Sequence, residues 1–113
     1  MILDVDVTQA CIDLGKPGNC RQCPIWLGIA IALGKRLPEW ADQIAAHLCV
    51  NSFYIQHQYC DGSWRINTPI AASMFIGLYD SGRAVRPFAF TLRIPDSLLR
   101  QAGVPDEAMA GAV

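Results

Sequence analysis

The segment from Pro24 to Leu33 constrains the fold of this chain more than any other part of the sequence. After Pro24, every residue through Leu33 is aliphatic, tryptophan, alanine or glycine. Proline suits the first position of a helix, where its missing N–H has no partner to lose. A helix that is apolar on every side has no face for water and must be enclosed by other elements. The segment is about half of the roughly 20 residues that a membrane span needs, so we predict a buried central helix that begins at Pro24.

The composition predicts a single folded domain. The chain has 113 residues, of which 52% are hydrophobic and only 17% are charged. Domains most often contain about 100–150 residues, and chains that stay disordered are poor in apolar residues and rich in charge. We therefore expect one domain over residues 1–104, followed by a flexible tail over 105–113, where small residues prevail.

Charge and cysteine content narrow the possible partners and location. The net charge is −1 and no Lys/Arg cluster is present, so we expect neither direct nucleic-acid binding, which needs a basic surface, nor binding to an anionic membrane. The N-terminal sequence lacks the basic region and apolar run of a signal peptide. Five cysteines in such a chain indicate a reducing compartment, so the expected location is the cytoplasm.

Local patterns predict an α+β fold with an antiparallel sheet of about four strands. Apolar residues alternate with aspartates over residues 2–7, and phenylalanines alternate with smaller residues from Val85 to Ile94. The stretch from Cys49 to His57 reads as one strand, and Ser63 to Asn67 returns after an Asp-Gly turn as its hairpin partner. We expect two or three helices to pack on one face of this sheet.

A second long helix is predicted after Thr68-Pro69. Ile70, Met74 and Leu78 recur at helical spacing, with Phe75 and Tyr79 beside them, and we assign this set to the buried face. The residues expected to pack around the central helix are Phe88, Phe90, Leu92, Phe75 and Ile66. If one face of the central helix stays uncovered, that face is the expected homodimer contact.

Cys20 and Cys23 form a C-x2-C motif just before the central helix. A helix dipole at this position favours the thiolate of the first cysteine, which makes a thiol–disulfide oxidoreductase one alternative function. Such sites follow a central strand, whereas a turn over Lys16 to Asn19 precedes this motif.

A structural zinc module is the other alternative. Cys20 and Cys23 would join His57 and Cys60 in a tetrahedral set of sulfur and nitrogen ligands. His57 and Cys60 lie at a strand end and not on a dedicated knuckle turn, which weakens this interpretation, and His47 and Cys49 offer a second pair of the same kind. Free cysteines are ordinarily small buried hydrophobes, so no cofactor is expected.

Arginine and aromatic residues suggest a contact surface. Arginine, tyrosine and tryptophan are enriched at interface anchors, although they also suit an ordinary sheet surface. The candidates in this chain are Tyr54, Tyr59, Trp64, Arg83, Arg86 and Arg93.

Three motifs resemble a family of small, mostly uncharacterised proteins encoded by tailed bacteriophages and prophages. They are Cys23-Pro24-Ile25 at a helix start, Tyr79-Asp80-Ser81-Gly82 at a helix end, and the Val85–Phe90 sequence V-x-P-F-x-F in a closing strand. The match covers Val5 to Leu92, and the chain departs from the family pattern at Trp26 and Gly28 and by an insert-like stretch around residues 37–47.

The resemblance implies a phage origin and a role in the cytoplasm of the host bacterium, and it implies no reaction. Small accessory phage proteins act by binding host machinery, including defence systems such as CRISPR effectors, which is an analogy at the level of the family. Our leading hypothesis is a non-enzymatic binding protein that acts on a host protein, as an interaction factor or as an inhibitor of such a defence system.

Overall fold

The computed structural model describes residues 1–59 and 62–110, with side chains for all of these except 58, 59, 62–64 and 110. The described part contains helices and antiparallel strands, which confirms the predicted α+β class. The elements in chain order are β1 (Ile2–Val7), α1 (Gln9–Leu14), α2 (Pro24–Arg36), α3 (Ala41–Ala46), β2 (Leu48–Val50), β3 (Tyr54–Tyr59), β4 (Gly62–Asn67), α4 (Ile70–Asp80), β5 (Phe88–Arg93), α5 (Asp96–Gln101) and α6 (Asp106–Ala110).

The strands form two sheets, whereas the sequence predicted one sheet of about four strands. β1 pairs antiparallel with β5, with Val5 opposite Phe90, and β2, β3 and β4 form a separate antiparallel sheet in that order. The fifth strand arises at Asn51, whose side-chain oxygen accepts the N–H groups of Phe53 and Tyr54, both at 2.8 Å. This asparagine turn divides the predicted strand over residues 49–57 into β2 and β3.

α2 begins at Pro24, as predicted, and joins the two sheets. Cys23 is its N-cap, with the sulfur accepting the N–H of Trp26 at 3.4 Å. The helix packs against β1 and β2, and the indole Nε1 of Trp26 donates to the carbonyl of Leu48 at 3.0 Å. Gly28 permits close approach to β1, because a Cβ there would lie 3.1 Å from the carbonyl oxygen of Asp6.

The expectation that α2 is enclosed on all sides is wrong at Ile31. Ile25, Ile29 and Leu33 are fully buried, but Ile31 is 51% exposed, and Trp26 is half-buried. The two sheets cover only part of the helix surface, so the side of the helix that carries Ile31 meets solvent. The other core predictions are confirmed: Phe75 and Leu92 are buried, while Ile66, Phe88 and Phe90 are partly buried against the same core.

α4 buries only part of the face that was predicted: Phe75 and Tyr79 pack against the core, whereas the row Ile70, Met74 and Leu78 is exposed. Phe75 and Ile76 are each 5% exposed and belong to the core, together with Ala72. Ile70 is 79% exposed and Met74 is 65% exposed. α4 is apolar on nearly every side, so its periodicity did not define which face packs inward.

The chain ends in two short helices. Met109 of α6 is partly buried against the core, and Arg100 Nε pairs with Asp106 Oδ1 at 2.8 Å. Residues 111–113 of the predicted tail lie outside the described residues, and the division at residue 104 stays a prediction. In the described ranges, every helix is too short or too polar to traverse a lipid bilayer.

Candidate functional site: an apolar groove beside α4

Three apolar side chains on the outer face of α4 form the most exposed apolar surface on a long helix of this chain. Ile70, Met74 and Leu78 are spaced four residues apart and therefore lie in one row along the helix. They are 79%, 65% and 39% exposed, and we call them the α4 stripe. Single exposed apolar residues are normal, but a contiguous row is typical of a contact surface.

A groove of about 440 Å³ lies beside Met74 and Leu78 of this stripe, and Ile70 lies outside its lining. One wall is α4, and the other is the extended segment that leads from α4 into β5. All of its lining residues but one are apolar. We call it the α4 groove, and its lining is Ala71, Met74, Phe75, Leu78, Ala84, Val85, Arg86 and Phe88.

The end of α4 creates the second wall. Gly82 adopts a positive φ of 75°, and its N–H donates to the carbonyl of Tyr79 at 3.0 Å while that of Arg83 donates to Leu78, also at 3.0 Å. This pair of bonds is the Schellman motif, which ends a helix and reverses the chain. The predicted helix end at Ser81-Gly82 is thus confirmed. Phe75 and Phe88, with ring centroids 5.1 Å apart, join the two walls of the groove.

The arginines predicted as interface residues lie on this same part of the chain. Arg83, Arg86 and Arg93 are all exposed, and residues 81–95 contain no aspartate or glutamate. None of the three belongs to an ion pair formed within the described ranges. One edge of the apolar groove is therefore positively charged.

The aromatic candidates lie on the other sheet. Tyr54 is 37% exposed at the start of β3, and the guanidinium carbon of Arg65 lies 4.7 Å from the centre of its ring. This cation–π contact already occupies one face of Tyr54. The side chains of Tyr59 and Trp64 lie outside the described residues.

Three cysteines gather at the start of α2, of which the sequence motif indicated two. The N–H of Val50 donates to the carbonyl of Cys20 at 2.9 Å, which brings Cys49 of β2 beside Cys20. Burial and then a hydrogen bond with the thiol of Cys20 raise the pKa of Cys49 to about 11. Nothing in the residue spacing indicates this third thiol, because only the fold of β2 brings it there.

The C-x2-C motif is placed differently from the expected activated thiolate at the helix start, and the oxidoreductase alternative stays a prediction. The residue at the helix N-cap is Cys23 and not Cys20. Burial raises the pKa of Cys23, and this outweighs the backbone N–H groups of Trp26 and Ile25, which lower it. Cys20 and Cys23 are both free thiols. A thiol held in its protonated form is a poor nucleophile, so this arrangement does not favour the oxidoreductase alternative.

The zinc alternative depends on Cys20, Cys23, His57 and Cys60. His57 is buried on β3 beside His47, with ring centroids 5.6 Å apart, and its pKa is lowered by burial and then by His47. No three histidine, cysteine, aspartate or glutamate side chains of residues 1–59 and 62–110 are arranged to hold a metal ion. Cys60 lies outside the described residues, and a site that includes it stays a prediction.

Comparison of the chain with protein-family models, with curated proteins and with solved structures finds no match.

Proposed function

We propose that this chain is a non-enzymatic protein-binding module whose α4 groove receives an apolar segment of a partner protein. The observation that carries the proposal is the exposure of Ile70 and Met74, at 79% and 65%, on a helix whose inner face is already buried in the core. A helix that is apolar on both faces indicates a covering partner. Full burial of an Ile or Met side chain contributes about 1.5–3 kcal/mol, so covering this row would supply several kcal/mol of binding free energy.

The charge at the edge of the groove favours a different protein over a second copy of this chain. A two-fold dimer that buries this surface would bring the arginines of both copies into one interface. Arg83 and Arg86 flank the groove without an acidic neighbour in residues 81–95, and like charges across an interface oppose association. A second copy of this chain is therefore the less favoured occupant of this surface, while the homodimer expected through an uncovered face of α2, where Ile31 is exposed, stays a separate prediction.

The resemblance to phage and prophage proteins supports a host protein as the partner and the bacterial cytoplasm as the place of action. The motifs that carry it include Tyr79-Asp80-Ser81-Gly82 and Val85–Phe90, which form the helix end and the second wall of the groove. Inhibition of a defence system such as CRISPR is one role of this kind.

A selection experiment tests the proposal. A displayed library of random 12-residue peptides is selected on the full chain, and the affinities of the enriched peptides are measured for the wild type and for Met74→Asp. We expect apolar peptides whose affinity falls at least about tenfold in the variant, which corresponds to about 1.4 kcal/mol. Ile31→Asp is the matched control, because Ile31 is also an exposed apolar helix residue but lies on α2.

Two results would contradict the proposal. One is the absence of any enriched peptide. The other is a set of peptides that bind Met74→Asp as tightly as they bind the wild type.

A further inference from the structure

We infer that the partner segment binds as an added β-strand on the free edge of β5 and that acidic residues in it face the arginines beside that edge. This inference rests on the proposed function and specifies the shape and the charge of the ligand. Extended peptides commonly bind by adding a strand to an exposed sheet edge, where main-chain hydrogen bonds give affinity and side-chain pockets give specificity.

The hydrogen bonds at one end of the ladder define which backbone groups of β5 point outward. Met1 and Ile94 exchange both of their backbone hydrogen bonds, each at 2.8 Å. In an antiparallel ladder such pairs alternate with pairs that make no bond to each other. The register continues with Leu92, Phe90 and Phe88 opposite Leu3, Val5 and Val7, so these residues bond to β1.

It follows that the intervening residues Ala89, Thr91 and Arg93 direct their N–H and C=O groups away from β1. All three are exposed. In the described part of the chain no backbone or side-chain hydrogen bond engages them on that side, and β5 pairs with β1 alone. These residues therefore offer a row of donors and acceptors to an incoming strand.

The outer edge of β1 is occupied in a way that the edge of β5 is not. The carbonyl of Ile2 accepts a hydrogen bond from Arg36 Nη1 at 3.2 Å. The carbonyl oxygen of Asp6 lies against Gly28 of α2, 3.1 Å from where a Cβ on that residue would stand. Of the two edges of this sheet, the one on β5 is available.

The free edge and the α4 groove are continuous. Phe88 is the first residue of β5 and also lines the groove. Phe90, two residues further, is half-buried on the same face as Phe88, because alternate residues of a strand share a face. A strand added to β5 can therefore lay its own alternate side chains beside this apolar surface.

The charge of this segment favours an acidic ligand over a second copy of β5. A second copy of β5 would bring a segment with the same three arginines and no aspartate or glutamate within residues 81–95. Arg83, Arg86 and Arg93 are instead complementary to carboxylates on an added strand. Asp4 and Asp6 are exposed on the same sheet, but they lie on β1, which β5 separates from the position of the ligand.

The inference is tested with a blocked, fluorescently labelled ten-residue peptide of alternating valine and glutamate, and with the same peptide carrying lysine in place of glutamate. We expect the glutamate peptide to bind the full chain at least tenfold more tightly at low salt, with the difference shrinking as salt is added. Arg93→Gln should weaken binding of the glutamate peptide, while Arg21→Gln, at an exposed arginine that lies before α2, should leave it unchanged.

Amide hydrogen exchange, followed residue by residue by NMR, tests the strand geometry in the unmodified chain. In the free protein we expect the amides of Phe88, Phe90 and Leu92 to be protected and those of Ala89 and Thr91 to exchange rapidly. Saturation with the glutamate peptide should slow exchange at Ala89 and Thr91 at least tenfold.

The results separate this inference from the proposed function. Binding without protection at these two amides, or equal binding of the lysine peptide, would overturn the inference. Failure of the glutamate peptide to bind, when library peptides bind and are sensitive to Met74→Asp, would also overturn it and leave the proposed function standing. Failure of both kinds of peptide would overturn both.

Discussion

The two faces of α4 can be compared directly by alanine substitution at Met74 and Ile76. The two residues are two positions apart on one helix and therefore point in nearly opposite directions. Met74 is 65% exposed, whereas Ile76 is 5% exposed. If α4 is oriented as described here, Met74→Ala should change the free energy of unfolding little and Ile76→Ala should lower it markedly.

The magnitudes follow from these exposures. About a third of the Met74 side chain is removed from water, and full burial of methionine contributes about 1.5–3 kcal/mol, so its loss costs about 0.5–1 kcal/mol. The higher helix propensity of alanine returns a few tenths of this. Ile76→Ala loses nearly the whole transfer term and leaves a cavity, which together cost about 2–5 kcal/mol.

Urea denaturation followed by circular dichroism measures both variants against the wild type. The comparison requires an unchanged dependence of the free energy on urea, since only then does a shift in the midpoint report stability. We expect Ile76→Ala to be less stable than Met74→Ala by at least about 1.5 kcal/mol. The reverse order would show that α4 is rotated, with the stripe in the core, and would remove the basis for the proposed binding surface.

Three further predictions concern packing, pH and thiol reactivity. Gly15→Ala should destabilise the fold by about 1–3 kcal/mol, because the new Cβ would lie 2.7 Å from Cδ of Pro24. Gly34→Ala, in open space on α2, should stabilise the fold by about 0.5–1 kcal/mol. Thermal melts of both variants check this prediction, and equal shifts in melting temperature would contradict it. Burial lowers the pKa of His57 from 6.5, so below that pH the unfolded chain binds more protons than the folded chain. The melting temperature should therefore fall as the pH drops below 6.5, and His57→Gln should flatten this dependence. An equally steep fall in the variant would assign the pH dependence to another group. The pKa of Cys49 is raised from 9.0 to about 11, so its thiolate fraction near pH 8 is reduced roughly 100-fold. Iodoacetamide should therefore label Cys49 roughly 100-fold more slowly in the folded chain than in urea, as measured by mass spectrometry. Similar labelling rates in both states would refute the raised pKa.

Short-range patterns were sufficient for the elements whose neighbours in sequence decide their structure. The alternation over residues 2–7 and 85–94 predicted β1 and β5, although β5 begins only at Phe88, and the proline at the first position predicted the start of α2. The turn at Asn51 was missed because Asn-Ser-Phe contains neither glycine nor proline, and strand-forming residues lie on both sides of it. Its cause is a side-chain hydrogen bond, and the residue type alone does not determine whether such a bond forms.

Features that depend on distant parts of the chain were not predictable in this way. The orientation of α4 depends on contacts with distant residues. The hydroxyl of Tyr79 donates to the carbonyl of Ile12 at 3.1 Å, and the ring of Phe75 contacts that of Phe88. Several apolar faces of this helix would have satisfied the periodicity equally well. The contact between Cys20 and Cys49 is similarly absent from the C-x2-C spacing, because it depends on where β2 docks.

The division of α4 into two faces also affects how this protein can change over time. Ala72, Phe75 and Ile76 hold the helix in place, so substitutions there are constrained by folding. Ile70 and Met74 contribute little to the core, so they can be replaced without loss of the scaffold. If the α4 stripe binds a partner as proposed, a lineage can exchange one target for another through a few mutations along a single helix, and a laboratory selection can follow the same route.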